Sequence, residues 1–264
     1  MDSRPVGIFD SGIGGLTVVK EIRNILPREK LIYLGDTARV PYGTRSPGTI
    51  KTFAVQLAKI LLQKNVKALV IACNTISATS LPEIKKLSPL PVLGVIEPTV
   101  SEALRLTQSQ SLAVIGTTAT INSGIYARTL HKYLPSVRIK AKATPLLVPI
   151  IEEGLFSHPV ADLMIADYLA EIKNDALDTL ILGCTHYPLL REKIAGFLGN
   201  KFTIVDSAKP TARALKELLA ANNLLSDRSR GTQIFFTSDD PRKSAALAKT
   251  FLGGRLAISK LAVN

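Results

Sequence analysis

Residues 68–75 read ALVIACNT, and residues 179–185 read TLILGCT. In each stretch a short apolar run ends at a cysteine, Cys73 or Cys184, and polar residues suited to starting a helix follow. Continuously apolar runs of this length are typical of parallel strands that helices cover on both faces. The two stretches therefore predict a parallel α/β fold in which each cysteine lies at the carboxyl end of a strand.

Apolar runs of this kind recur along the chain with helical segments between them. The predicted strands are Val6–Phe9, Leu31–Leu34, Ala68–Ala72, Val92–Ile96, Leu112–Ile115, Ile139–Ala143, Thr179–Leu182, Phe202–Val205 and Gln233–Phe236. Strands that alternate with helices indicate doubly wound parallel sheets. Because the runs are apolar throughout, we expect helices on both faces of these strands.

The order of features repeats in the two halves of the chain. A predicted strand leads into Asp10 well before Cys73, and another leads into Thr117 at a similar distance before Cys184. We infer an internal duplication that gives two α/β domains with one cysteine each. Residues 98–206 form one domain, and residues 1–97 together with 207–264 form the other. The site is expected in the cleft between them, because open α/β sheets bind ligands beyond the carboxyl ends of their strands.

The composition excludes several classes of protein. The chain has 264 residues, of which 46% are hydrophobic and 20% charged, so it resembles neither a disordered chain nor a disulfide scaffold. Its apolar runs are shorter than the roughly 20 residues that a membrane span needs. The N-terminal sequence does not read as a secretory signal, so we expect a cytoplasmic protein with free thiols and no membrane association.

The net charge of +12 raises the question of an anionic partner. The excess of positive charge lies in residues 1–97 and 207–264, whereas residues 98–206 are balanced. Aromatic residues make up 5% of the chain and tryptophan is absent, so the stacking surfaces of nucleic-acid binders are missing. Dedicated nucleic-acid binding is disfavoured, and a small anionic ligand is the better expectation.

Several roles are open for the two cysteines. Each could be a small buried side chain, since cysteine is often buried; a single reactive thiol could be a nucleophile. Two thiols on facing domains could instead act as a base and an acid on opposite sides of one carbon, which would invert a stereocentre. A metal site is disfavoured because no CxxC or HxxxH spacing is present.

Two loops carry further candidate residues. Residues 10–15 read DSGIGG but do not match a dinucleotide loop, because Thr17 stands where GxGxxG needs a third glycine. A tight turn into a helix is the better interpretation, with N–H groups free for a carboxylate. In residues 35–43, Asp36, Arg39 and Tyr42 could orient a charged substrate or could form a surface ion pair.

Six motifs in order resemble the aspartate/glutamate racemase family, and within it the enzymes that act on glutamate. They are GIFDSGIGGLTV, GDTARVPYG, ACNTISA, IGTTATI, PIIEEG and GCTHYP, spread over most of residues 6–188. The resemblance implies two pseudo-symmetric α/β domains and a cofactor-independent interconversion of L- and D-glutamate that supplies peptidoglycan synthesis. Sister racemases that act on aspartate or hydantoins are the alternative. A homodimer is also expected, as is the lack of an activator site on an N-terminal extension.

The resemblance also implies a role for each matched residue. Cys73 resembles the base for D-glutamate and Cys184 the base for L-glutamate. Asp10 is implied to assist Cys73, and His186 and Glu152 to assist Cys184. Substrate binding is implied for Asp10, Ser11, Tyr42, Gly43, Asn74, Thr75, Thr120, Thr185 and His186.

Overall fold

The computed structural model describes residues 2–254 and 256–263, and in these residues ten strands form two parallel sheets. The strands are β1 (Val6–Asp10), β2 (Leu31–Gly35), β3 (Ala68–Ile71), β4 (Val92–Gly94), β5 (Ser111–Gly116), β6 (Arg138–Ala143), β7 (Thr179–Gly183), β8 (Thr203–Asp206), β9 (Gln233–Thr237) and β10 (Ile258–Lys260). The predicted fold class, two parallel-sheet α/β domains, is confirmed.

The strand order makes the relation between the two sheets visible. The first sheet runs β10-β9-β2-β1-β3-β4 and the second runs β6-β5-β7-β8. If β9 and β10 are set aside, the first four strands of each sheet follow the same order: second, first, third, fourth. Cys73 follows the third strand of one sheet, and Cys184 follows the third strand of the other. The two cysteines therefore occupy equivalent places in two similar sheets.

Helices connect the strands throughout. They are α1 (Leu16–Ile25), α2 (Pro47–Leu62), α3 (Asn74–Leu87), α4 (Ile96–Leu106), α5 (Thr118–Asn122), α6 (Ile125–Tyr133), α7 (Leu147–Glu152), α8 (Pro159–Lys173), α9 (Arg191–Leu198), α10 (Ala208–Ala221) and α11 (Pro241–Leu252). Short 3-10 helices occupy Tyr42–Thr44, Leu155–Ser157 and Tyr187–Leu190. None of the helices in the described residues is both long and apolar enough to cross a membrane.

One hydrophobic cluster extends through both sheets. It joins buried residues of β1, such as Ile8, to residues of β5, such as Val114, through α1, α4 and α10. Burial of apolar side chains is the main favourable contribution to folding, at about 25 cal/mol per Å². The shared cluster therefore resists separation of the two sheets.

A buried ion pair ties the C-terminal part of the chain to the first sheet. Lys67 Nζ lies 2.5 Å from Glu29 Oε2, and both side chains are fully buried. Lys67 also donates to the carbonyl of Leu224 at 2.6 Å, and Glu29 accepts from the backbone N–H of Ser226 at 2.8 Å. A buried charged pair is stable only when its remaining groups are satisfied. These contacts hold the segment that leads into β9 and β10.

The structure corrects three expectations about the strands. The strand predicted as Val92–Ile96 ends at Gly94, and α4 begins at Ile96, because Pro98 is tolerated in the first turn of a helix. Strand β10 was not predicted, since three residues are too few to give a pattern. The expectation that helices cover both faces of every strand is wrong for β6, which lies at the edge of its sheet. Lysines alternate with apolar residues in this strand, and none of its six residues is buried.

Candidate active site

A cavity lies between the carboxyl ends of the two sheets, and both cysteines line it. Most of the residues implicated by the sequence line the same cavity: Ser11, Tyr42, Gly43, Cys73, Asn74, Thr75, Cys184, Thr185 and His186. Three others, Asp10, Thr120 and Glu152, are not part of the lining. Asp10 and Thr120 are buried, and Glu152 lines a neighbouring cavity.

Cys73 is the N-cap of α3. Its Sγ accepts from the backbone N–H of Ile76 at 3.5 Å and lies 3.4 Å from Ser11 Oγ. The first N–H groups of a helix have no partner within the helix, and they favour negative charge nearby. Both contacts can therefore stabilise a thiolate at this position.

Asp10 contributes the opposite effect on Cys73. The carboxylate is fully buried at the end of β1, where Oδ2 accepts from the backbone N–H of Gly15 at 2.7 Å. Its Oδ1 is buried without a hydrogen-bond partner among the described residues. Burial, and next the negative charge of Asp10, raise the pKa of the Cys73 thiol well above its ordinary value. Burial and Asp10 therefore favour the neutral form of the Cys73 thiol.

Cys184 has a different partner, a histidine that is itself held by a carboxylate. His186 Nδ1 lies 3.8 Å from Cys184 Sγ, and His186 Nε2 lies 3.1 Å from Glu152 Oε1. Burial lowers the pKa of His186, but the contacts with Cys184 and Glu152 outweigh it and raise the pKa to about 10. An imidazolium beside a cysteine favours the thiolate. Cys184 is thus the thiol that has a positively charged neighbour.

Two residues that belong with the first sheet, Phe251 and Gly14, pack against the ring of His186. The ring of Phe251, on α11, packs edge-on against it with centroids 5.7 Å apart. On another side, a Cβ added to Gly14 would lie 2.4 Å from His186 Nδ1 and 2.6 Å from Thr185 Oγ1. Real Cβ atoms do not approach so closely, so only glycine fits at position 14 with this spacing.

Hydroxyl groups from the two halves of the protein are hydrogen-bonded to each other beside the cavity. Thr75 Oγ1, after Cys73, lies 2.8 Å from Thr117 Oγ1 and 3.2 Å from Thr120 Oγ1. Thr117 is the N-cap of α5 and comes directly after β5. It was not among the expected site residues, although the match between Thr117 and Asp10 in the duplicated pattern was a usable signal.

Asn74 has two partners that the sequence did not indicate. Tyr126, on α6, donates to Asn74 Oδ1 at 2.6 Å, and Asn74 Nδ2 donates to Ser207 Oγ at 3.4 Å. All three side chains are buried. Tyr126 lies in an ordinary amphipathic helix, so no local pattern distinguished it from a core residue.

Asp36 and Arg39 hold the loop beside the cavity and do not line it. Asp36 is fully buried, pairs with Arg39 Nε at 2.5 Å and accepts from Ser238 Oγ at 2.7 Å. The hydroxyl of Tyr42 also donates to Asp36. Tyr42 lines the cavity, and its hydroxyl is held by Asp36. The ion pair is a buried structural contact, which differs from both expectations for these residues.

The arrangement suits proton transfer at one carbon. Two thiols line one small cavity, and the other polar groups around it are backbone N–H groups, hydroxyls, an amide and the imidazole of His186. Such groups can hold carboxylates and stabilise charge that develops on a bound molecule. Among residues 2–254 and 256–263, no three His, Cys, Asp or Glu side chains come together as metal ligands.

The chain is similar in sequence and in structure to proteins of one family. The family model for Asp/Glu/hydantoin racemases matches residues 13–215. A glutamate racemase from Geobacter metallireducens is 45% identical over 257 residues, which are 97% of this chain and 95% of the relative. The crystal structure of glutamate racemase isoform RacE1 from Bacillus anthracis superposes with a TM-score of 0.97 at 35% identity, covering 100% of this chain and 99% of that one. The glutamate racemase of Francisella tularensis in complex with D-glutamate superposes with a TM-score of 0.93 at 40% identity, covering 100% of this chain and 98% of that one.

Proposed function

The chain belongs to the Asp/Glu/hydantoin racemase family, and from that premise we propose that it interconverts L- and D-glutamate by moving protons between its two thiols and the substrate α-carbon. The observation that carries the mechanism is the presence of Cys73 and Cys184 in the lining of one cavity. The enzyme is an isomerase, and no cofactor takes part in the proposed reaction.

One thiolate and one thiol are needed at the start of each turnover. In the L-to-D direction, Cys184 removes the α-proton as a thiolate and Cys73 delivers its own proton to the opposite face of the carbon. The bond from the α-carbon to hydrogen breaks on one side and a new one forms on the other, so the configuration inverts. The reverse reaction exchanges the two roles. Support comes from the imidazolium beside Cys184 and from the raised pKa of Cys73.

The intermediate carries two negative charges on the glutamate α-carbon and its carboxylate, so the site must supply donors. The N–H groups after Ser11 and at the start of α3 are candidates, with the side chains of Asn74, Thr75 and Thr185. Preorganised donors in a site that excludes water stabilise such charge strongly. Asp10 and Glu152 do not line the cavity, so we assign them to tuning of Cys73 and of His186.

The broader assignments follow from the same proposal. Residues 1–97 with 207–264 form one domain and residues 98–206 the other, and glutamate binds between them. The free buried thiols need a reducing compartment, which supports a cytoplasmic enzyme. D-glutamate so formed would enter peptidoglycan synthesis. Exposed leucines on three elements in mutual contact, Leu146, Leu155 and Leu163, offer apolar surface for a homodimer; sedimentation velocity tests this assembly.

The activity is tested by following the optical signal of enantiopure glutamate. We expect the circular dichroism of L-glutamate, and separately of D-glutamate, to decay to zero with purified protein, without added pyridoxal phosphate. L-aspartate in the same assay distinguishes the two amino-acid substrates. A protein that racemises aspartate but not glutamate, or that needs pyridoxal phosphate, would overturn the proposal.

A further inference from the structure

Tyr126 touches both of the loops that carry the cysteines. It is buried on α6, and its ring packs against Gly183, the residue before Cys184. A Cβ at Gly183 would lie 3.2 Å from Tyr126 Cε2 and 2.8 Å from the carbonyl oxygen of Ile115, so glycine is what allows the ring to approach. The hydroxyl of the same ring donates to Asn74, the residue after Cys73.

The hydroxyl of Tyr126 orients the side-chain amide of Asn74. A side-chain amide has one oxygen that accepts and one nitrogen that donates. Tyr126 donates to Asn74 Oδ1 at 2.6 Å, and this leaves Nδ2 to donate to Ser207 Oγ at 3.4 Å and toward the cavity that Asn74 lines. Burial raises the pKa of the Tyr126 phenol above its ordinary value, so the hydroxyl keeps the proton that it donates to Asn74 Oδ1.

The opposite orientation of the amide would oppose substrate binding. A carboxylate accepts hydrogen bonds and offers none, so an amide oxygen turned toward it would be repelled. An amide without a fixed partner samples both orientations. The bond from Tyr126 to Oδ1 favours the orientation in which Nδ2 is the group free to donate.

We propose that Tyr126 is a positioning residue for the racemase reaction: it sets the distance between the two cysteine loops and holds the Asn74 amide as a donor toward the substrate carboxylate. The inference rests on the proposed function. Because Tyr126 comes from the second sheet's helices and Asn74 from the first, the donor is in place only when the two halves stand at this separation.

The test removes one oxygen atom. In Tyr126→Phe we expect KM to rise about tenfold for both enantiomers, with kcat changed less, because the Asn74 donor acts in the bound substrate as well as in the transition state. The matched control is Tyr133→Phe, which removes an exposed hydroxyl at the end of the same helix, α6, outside the cavity lining, and should leave both constants unchanged. A lower melting temperature with unchanged KM would mean a structural role only and would overturn the inference.

A double-mutant cycle separates action through Asn74 from other effects. We expect Tyr126→Phe to raise KM no further in an Asn74→Ala background, because the group that it positions is gone. Equal effects of Tyr126→Phe in both backgrounds would contradict the proposal.

A measurement on the unsubstituted protein covers the case in which Tyr126→Phe does not fold. In protein labelled with 15N-asparagine, the Asn74 side-chain amide is identified by the signal missing from Asn74→Ala. We expect saturating D-glutamate to shift that signal, and an unmoved signal would refute the donor role. Failure of the wild-type protein to racemise glutamate is a separate result, which would refute the proposed function instead.

Discussion

The two halves of the site stand at equivalent places in two sheets of the same strand order, yet different groups surround their cysteines. Around Cys73 are a serine hydroxyl, the start of a 14-residue helix and a buried aspartate. Around Cys184 are a histidine and, behind it, a glutamate, and the loop continues into a short 3-10 helix. The backbone framework is duplicated, but the electrostatics are not.

This difference supplies the charge states that a two-thiol reaction needs. Two thiolates facing one anionic substrate would repel it, and two neutral thiols would include no base. Burial and Asp10 raise the pKa of Cys73, whereas His186, with its pKa raised to about 10, keeps a positive charge beside Cys184. This asymmetry supports the proposed roles, with Cys184 as the base and Cys73 as the acid in the L-to-D direction.

Replacing either cysteine should have the largest effect. Cys73→Ser and Cys184→Ser should each lower racemisation about 10³-fold, because a serine hydroxyl is a far weaker base than a thiolate. Because the two cysteines have separate roles, each variant should still exchange the α-proton of one enantiomer with solvent, but not that of the other. Cys73→Ser should exchange the α-proton of L-glutamate with solvent, and Cys184→Ser that of D-glutamate, as measured by NMR in deuterium oxide. Exchange of both enantiomers by both variants would contradict separate roles.

Removing the charge of Asp10 sharpens the comparison on the Cys73 side. Asp10→Asn should lower racemisation roughly 100-fold, if the carboxylate assists proton transfer at Cys73. The same change should lower the pKa of Cys73, since the negative charge of Asp10 raises it. Alkylation of Cys73 by iodoacetamide should therefore become faster at a given pH, read by mass spectrometry. Slower alkylation would show that the Asp10 carboxylate lowers the pKa of Cys73, and would contradict this account.

Substitution of Gly14 tests the close contact between this residue, in the first half of the protein, and the ring of His186. In Gly14→Ala the new Cβ would lie 2.4 Å from His186 Nδ1, so the ring or the loop must move. Overpacking of this kind destabilises the fold by about 2 kcal/mol. Because it also displaces His186 from Cys184, we expect kcat/KM to fall roughly 30-fold. Gly196→Ala is the matched control, because position 196 lies in α9 with nothing within 4 Å of the added atom. It should leave kcat/KM unchanged; equal losses in both variants would rule out the contact as the cause.

The carboxylate of Glu152 should have a smaller effect, seen mainly in the pH profile. Glu152→Gln should lower kcat about tenfold and move the alkaline limb to lower pH, because Glu152 raises the pKa of His186 and its loss lets the imidazolium lose its proton earlier. Glu153→Gln is the control, since Glu153 is exposed beside it. An alkaline limb near pH 10 in both variants would show that Glu152 does not act on His186.

Much of the site could be predicted because it is local to strand ends. Cys73, Asn74 and Thr75 follow one buried strand, and Cys184 with the residues after it follows another, so a continuous apolar run located them. The edge strand β6 was misjudged because its burial depends on which neighbours it has, and β10 was too short to give a signal.

Other residues reach the site through tertiary packing that no local pattern encodes. Tyr126, Ser207 and Phe251 arrive from helices or loops far along the chain, and each has the sequence context of an ordinary core or loop residue. The resemblance to a family indicated the role of Glu152, but its contact with His186 became visible only in the folded chain.

The central claim, that two thiols act on opposite faces of one α-carbon, is tested most directly by the origin of the new α-hydrogen. L-glutamate is incubated with the enzyme in deuterium oxide, and both enantiomers are separated and analysed by mass spectrometry early in the reaction. The two-thiol account predicts deuterium in nearly all of the D-glutamate formed and protium in nearly all of the L-glutamate recovered, because the second thiol delivers a solvent-derived hydrogen. Protium carried from L-glutamate into D-glutamate would mean that a single group removes and returns the proton, and would contradict the account.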